Sequence, residues 1–169
     1  RADRTWSELT GQTLRAALWP VAGEEGPAPF APTPEEAHVA VVVIGHTVHQ
    51  LLGHFGIDAS MLVGQSAGEL AALASAGALS FEDAIRAMYH RTQAVNALPA
   101  TGFMAVVTCG APELRKILKG LRARVVVAGE NSPARSVVSG ERDAIEKVIA
   151  RCAEAGREVT LLPLHHAYH

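Results

Sequence analysis

Apolar positions near the start of the chain fall at the spacing of one helical face. Leu9, Leu14 and Leu18 predict a helix over 5–18, with Gly11 as its weak point. Residues 20–34 hold Pro20, Gly23, Gly26, Pro27, Pro29, Pro32 and Pro34 and predict a loop. Thr33-Pro34-Glu35-Glu36 carries the marks of a helix start: a capping hydroxyl, a proline at the first position and acids in the first turn. That helix should run to His54. It is apolar nearly all round, including the run 39–44, which predicts a buried element. Gly56 then marks a turn, and Ser60-Met61-Leu62-Val63 predicts a strand leading into Gly64-Gln65-Ser66-Ala67-Gly68. The alanine-rich stretch Glu69–Ala76 predicts a helix ended by Gly77. Ser80-Phe81-Glu82-Asp83 opens another helix, with a capping-box-like pattern, that carries Ala84, Met88 and Arg91.

After Pro99 the pattern changes. Residues 103–108 predict a strand, 111–120 a helix, 124–128 and 135–139 two strands, 141–155 a helix and 158–164 a strand. Turns are expected at Asn131-Ser132-Pro133 and at Ser139-Gly140. The order β-α-β-β-α-β is the split, ferredoxin-like arrangement, so a subdomain boundary is expected near residue 100.

Composition narrows the function classes. A chain of 169 residues fits one domain, or one domain with a smaller subdomain. Its hydrophobic fraction of 49% and charged fraction of 19% are those of a packed globular chain. A net charge of -2 speaks against nucleic acid as a main partner, because phosphate binding needs a basic surface. Cys109 and Cys152 are too few for a disulfide framework and fit a reduced, cytoplasmic protein. No run is long and apolar enough to predict a membrane span, and Arg1-Ala2-Asp3-Arg4 is not followed by an apolar signal core. The missing initial methionine and the abrupt end on a histidine are read as marks of a piece of a larger polypeptide.

The candidate chemistry centres on Ser66 in a G-x-S-x-G pattern. A serine on a sharp turn between strand and helix is held in a strained backbone conformation, and glycines two positions on either side let the chain pass. The next helix points its positive end at the site. The Ala67 amide can then donate to the oxyanion of a tetrahedral intermediate. A serine hydroxyl needs a neighbouring base. Of the eight histidines, His46 and His49 read as interior or helix-end residues and His90 as a surface residue. His38 and His54 draw no role. The cluster His165-His166-Ala167-Tyr168-His169 follows the last strand, where the chain could return toward the serine. No cysteine or acid accompanies it at ligand spacing, so a metal site is not expected.

Three blocks resemble the acyltransferase domains of type I polyketide synthases and the related malonyl-CoA:acyl-carrier-protein transacylases. They are VGQSAGELAALASAGALSFEDAIR (63–86), Arg91, and HAYH (166–169), with ENSPARSVVSG (130–140) in support. The resemblance spans nearly all of 35–169. It implies an α/β fold: an α/β-hydrolase-like core carrying an inserted ferredoxin-like (βαββαβ) small subdomain. Residues 1–100 would belong to the large subdomain with its nucleophile elbow, 101–164 to the small subdomain, and 165–169 to a return into the large one. It also implies Ser66 as nucleophile, His169 as base, and Arg91 as the group that binds the free carboxylate of a malonyl-type substrate. Gln65, His166 and Tyr168 would line the substrate. An arginine suits that task because its planar, permanently charged fork grips a carboxylate with two parallel hydrogen bonds. Two departures stand out. Gln65 occupies the place of the family's usual histidine, and HAYH replaces HAFH, the form that goes with malonyl substrates.

The implied reaction is a ping-pong transfer from malonyl-CoA, or a related acyl-CoA, to the phosphopantetheine thiol of an acyl carrier protein. A ketosynthase and other synthase domains would be neighbours. Coenzyme A enters as the thioester substrate, and no permanently bound cofactor or metal is expected. Glu69 is expected to cap or pair locally. Two other readings remain open at this point: an acyl hydrolase that clears stalled chains, and a noncatalytic docking module of a megasynthase.

Overall fold

In the computed structural model, residues 1–18, 32–121 and 123–169 are described. The expected loop at 20–34 lies outside them except for its last three residues. The chain divides into two compact units, Arg1–Ala97 and Leu98–His169.

The first unit is helical among its described residues. It holds α1 (Ala2–Thr10), α2 (Leu14–Leu18), α3 (Pro34–His54), α4 (Gly68–Ser75) and α5 (Phe81–Asn96). The single helix expected over 5–18 is two. Gly11 takes a φ of 74°, a left-handed cap that only glycine adopts without strain, and the chain turns there. α3 starts on a complete capping box, in which Thr33 accepts from the Glu36 amide and the Glu36 carboxylate accepts from the Thr33 amide. Ser80 caps α5 by accepting from Asp83 N at 3.0 Å. Trp6, Leu14, Val39, Val42, Ala74, Phe81, Ala84, Ile85 and Met88 form the core. Each fully buried large side chain there stabilises the unit by roughly 1.5–3 kcal/mol.

Two further expectations for this unit fail. α3 is not buried on all sides: Val39, Ala40, Val42 and His46 are, while Val41, Ile44, Val48, Leu51 and Leu52 are exposed. Described neighbours pack along one side of the helix only, chiefly α4 and α5. Residues 60–63 form no strand, with Met61 80% and Val63 87% exposed. A strand exists only when a neighbour completes its hydrogen bonds, and no described segment pairs with this one.

The second unit runs β1 (Gly102–Val107), α6 (Ala111–Leu118), β2 (Val125–Ser132), β3 (Arg135–Glu141), α7 (Arg142–Glu154) and β4 (Val159–Leu161). The four strands form one antiparallel sheet in the order β2-β3-β1-β4. α7 packs on β1 and β3, and α6 on β2 and α7. Ala105, Val107, Leu114, Val138, Ile145 and Val148 make its core together with the two free, buried cysteines. The turn between β2 and β3 falls at Pro133-Ala134, one step later than expected, because Ser132 still pairs with Arg135. The turn expected at Ser139-Gly140 is absent, and β3 runs through both residues into α7. A Cβ on Gly140 would lie 2.5 Å from the Arg124 carbonyl oxygen, so this glycine serves close strand contact instead of a turn.

His46 links α3 to α4 and α5. Its Nδ1 lies 3.2 Å from Ser75 Oγ, and its ring stacks on Phe81 at 4.6 Å. Burial, with smaller contributions from His49 and Arg1, pushes its pKa down. His38 shifts the same way, again mainly through burial. A histidine whose folded pKa is depressed contributes stability that is complete above its unfolded value, near ~6.5, and is lost as pH falls through the folded value. Glu82, held at about 2 by its hydrogen bonds from Arg1, keeps its charge throughout that window. The melting temperature should therefore fall between about pH 7.5 and pH 5.5. In His46→Gln the fall should be smaller, as thermal unfolding followed by circular dichroism would show; an equal fall in both proteins would disprove the assignment.

Candidate active site

Ser66 has a φ of 54°. Only it and His169 take positive φ among the described non-glycine residues. For a residue with a Cβ this left-handed conformation costs roughly 1–2 kcal/mol. It persists because the chain around it permits no alternative path. A Cβ on Gly64 would lie 2.4 Å from Gly68 O and 2.5 Å from Glu69 Cα, so only glycine fits where the incoming chain crosses the start of α4. The turn is closed by Gly68 N donating to Gln65 O at 2.9 Å and by Glu69 N donating to Ser66 O at 3.0 Å. Gly68 behaves differently from the expectation of two equivalent glycines. A Cβ there would meet nothing within 4 Å. The crowding is one-sided because the chain folds back over Gly64 alone.

The elbow puts Ser66 on the surface, one residue before Ala67 at the helix cap. No side chain caps α4, and the Ala67 N–H meets no acceptor among the described residues. That amide sits at the positive end of the helix, where negative charge is stabilised. A groove of about 270 Å³ beside the elbow is lined by Val41, Gly45, Val63, Gly64, Gln65 and Gly68, among others. Gln65 faces it, whereas Ser66 is not part of its wall. Close approach of α3 to α4 shapes this groove: a Cβ on Gly45 would lie 3.1 Å from Ala71 Cβ.

Arg91 is on α5 of the same unit and is partly exposed. Its charge acts on His38 of α3, which the sequence had left without a role. Nothing local could have revealed that link, because His38 meets α5 at Thr92, 54 residues further along the chain.

His166, Tyr168 and His169 close the second unit. The start of β1 carries this segment: a Cβ on Gly102 would lie 2.5 Å from both Ala167 N and Ala167 Cβ, so glycine there lets the chain lie against the strand. The rings of Phe103 and His165 meet edge to face at 5.9 Å, and those of His166 and Tyr168 at 6.1 Å. Tyr168 N donates to His166 O at 3.1 Å, and His169 follows with a φ of 61°. Among the described residues no group of three or more histidine, cysteine, aspartate or glutamate side chains could hold a metal ion. No described helix is long and apolar enough to cross a membrane.

A mixed helix-and-sheet chain with a left-handed serine entering a helix, a crowded glycine two residues before it and an open amide after it belongs among α/β proteins built on a serine elbow. The comparisons make this specific. The family model for the acyl transferase domain matches residues 25–169, and the chain belongs to that family. It groups with the acyltransferases of polyketide synthases and with malonyl transacylases. Erythronolide synthase EryA3 of Saccharopolyspora erythraea is 34% identical over 144 residues, which are 83% of this chain and 4% of that protein. Mycoketide-CoA synthase of Mycobacterium tuberculosis is 36% identical over 135 residues, 80% of this chain and 3% of that one. The acyltransferase domain from the second module of the salinomycin polyketide synthase superposes with a TM-score of 0.80 at 34% identity, covering 99% of this chain and 38% of that one. The malonyl CoA-acyl carrier protein transacylase of Clostridium perfringens gives 0.81 at 25% identity, with 99% and 53% covered. The chain thus spans a small part of its curated relatives and about two fifths to one half of these solved structures.

The two glycines of the elbow can be told apart by substitution. Gly64→Ala should displace the turn and lower the melting temperature, while Gly68→Ala should leave folding intact. Calorimetry on both variants checks this, and equal behaviour of the pair would contradict the one-sided crowding.

Proposed function

We propose that this chain carries the acyl-transfer chemistry of a malonyl-type transacylase acting within a polyketide synthase. The observation that carries the reading is the left-handed Ser66 at the open start of α4. Such a hydroxyl is presented clear of its own backbone, next to an amide suited to an oxyanion.

The reaction has two halves. In the first, a malonyl thioester of coenzyme A enters with its free carboxylate on Arg91. His169 accepts the Ser66 proton as the serine oxygen attacks the thioester carbonyl, and the Ala67 N–H stabilises the resulting oxyanion. The C–S bond breaks, the thiolate takes the proton from His169, and coenzyme A leaves. In the second, the phosphopantetheine thiol of an acyl carrier protein gives its proton to His169 and attacks the acyl-serine ester. The C–O bond breaks and Ser66 recovers its proton. Gln65, His166 and Tyr168 line the acyl group. The protons and electron pairs balance with no metal or redox cofactor. The β-α-β-β-α-β order and the β2-β3-β1-β4 sheet of the second unit support reading it as the ferredoxin-like subdomain inserted in an α/β-hydrolase-like core. A ketosynthase and further synthase domains would be its neighbours, in the cytoplasm.

Intact-protein mass spectrometry of the full-length polypeptide after mixing with malonyl-CoA tests the reading. One malonyl group should appear on the unmutated protein and none on Ser66→Ala. Turnover of uncharged acyl thioesters with no malonyl adduct would instead favour a hydrolase. Carrier-protein loading that survives Ser66→Ala would favour a docking module. Arg91→Ala should slow malonyl loading, by several kcal/mol in the barrier if bound substrate desolvates the ion pair and by less if the pair stays in contact with water. Loading rates with malonyl-CoA and acetyl-CoA, measured side by side, check that prediction.

A further inference from the structure

Outside the elbow, α3 and α5 are joined by a set of polar contacts that the proposed reaction does not use. His38 Nδ1 lies 3.3 Å from Thr92 Oγ1. The Thr92 hydroxyl donates to the Met88 carbonyl at 2.9 Å, and Thr92 is fully buried. One turn earlier on α3, the Glu35 carboxylate accepts from Gln93 Nε2 at 3.2 Å and from Asn96 Nδ2 at 2.7 Å. α3 thus grips the last turns of α5 just after Arg91 in sequence.

The hydroxyl decides the tautomer of the histidine. A carbonyl oxygen can only accept, so the single hydroxyl proton of Thr92 is committed to Met88. The Thr92 oxygen is then the acceptor in its contact with His38, and Nδ1 must carry a hydrogen. In an uncharged imidazole this leaves the lone pair on Nε2. The surroundings favour the uncharged ring. Burial is the largest influence pushing the His38 pKa down, the Arg91 charge adds to it, and Glu35 opposes both.

A guanidinium offers five N–H donors, and a carboxylate held by its fork uses two. The remaining donors need acceptors if the fork is to keep one orientation. We propose that His38 is a positioning residue for Arg91: docked through Nδ1–H on Thr92, it offers Nε2 as the acceptor that holds one Arg91 N–H and aims the fork at a free carboxylate. Selectivity for acyl groups bearing a carboxylate then depends on an α3 residue that touches neither the acyl group nor the serine. The inference rests on the reading of Arg91 as the carboxylate-binding group.

The test has a spectroscopic arm and a kinetic arm, both on the full-length polypeptide. Long-range ¹H–¹⁵N correlation spectra at neutral pH, with the His38 signals assigned by their loss in His38→Gln, should show the proton on Nδ1 and a bare Nε2. In Thr92→Val, which removes the acceptor, that tautomer should lose its dominance. A proton on Nε2 in the unmutated protein would overturn the proposal, whatever the variants do. In the kinetic arm, His38→Leu should lower the preference for malonyl-CoA over acetyl-CoA about tenfold, the loss expected for one hydrogen bond to a charged group. The change should appear mainly in the malonyl KM. His38→Gln, which keeps a donor and an acceptor, should retain most of the preference. If Arg91→Ala abolishes the preference while His38→Leu keeps it, the positioning role fails and the carboxylate role of Arg91 stands. If Arg91→Ala itself keeps the preference, the reading of Arg91 fails and takes this inference with it.

Discussion

The crossing of the chain over itself at Gly64 is the constraint on which the site depends. With Gly68 O and Glu69 Cα so close that no Cβ fits, the backbone entering the turn and the first turn of α4 are pressed together. Ser66 is forced into the left-handed region because the chain has to reverse within the residues between them. The cost of that conformation is met by the packing of α4, whose Ala71 and Ala74 are buried against the rest of the unit. The small residues are part of the same solution. Gly45 on α3 and Ala71 on α4 allow the helices to approach closely enough to hold the elbow's far side.

The two units place chemistry by different means. In the first, the serine is held by a strained turn at a helix start, and the arginine by a long amphipathic helix anchored through Phe81, Ala84, Ile85, Met88 and Thr92. In the second, a four-stranded sheet offers a glycine at its β1 end on which the closing histidine segment rests. A strained turn fixes one atom's direction, whereas a glycine seat fixes the path of a whole segment. The second device leaves side chains such as His166 and Tyr168 to settle against one another.

Charge is handled with similar economy. The described ion pairs lie on the surface, where each stabilises little. Of the contacts between α3 and α5, the one between His38 and Thr92 is partly buried, and burial together with the Arg91 charge pushes the His38 pKa down. Lowering that pKa disfavours a second positive charge beside the arginine.

Much of this was legible in the residues in order. The Thr33–Glu36 box, the Ser80 cap, the β-α-β-β-α-β succession and the G-x-S-x-G turn are local signals, each written within a few consecutive positions. Hydrogen bonds to a chain's own next turn, and side-chain periodicity, are properties that a short stretch carries by itself. What needed the tertiary structure depends on residues far apart. The break at Gly11, the strand through Ser139 and Gly140, the unpaired course of 60–63 and the one-sided burial of α3 follow from which segments lie alongside. The contrast between Gly64 and Gly68 and the contact of His38 with Thr92, 54 residues distant, follow from atoms brought within a few ångströms by folding. Steric exclusion and hydrogen-bond direction act through space, so the sequence named the groups and the fold assigned their partners.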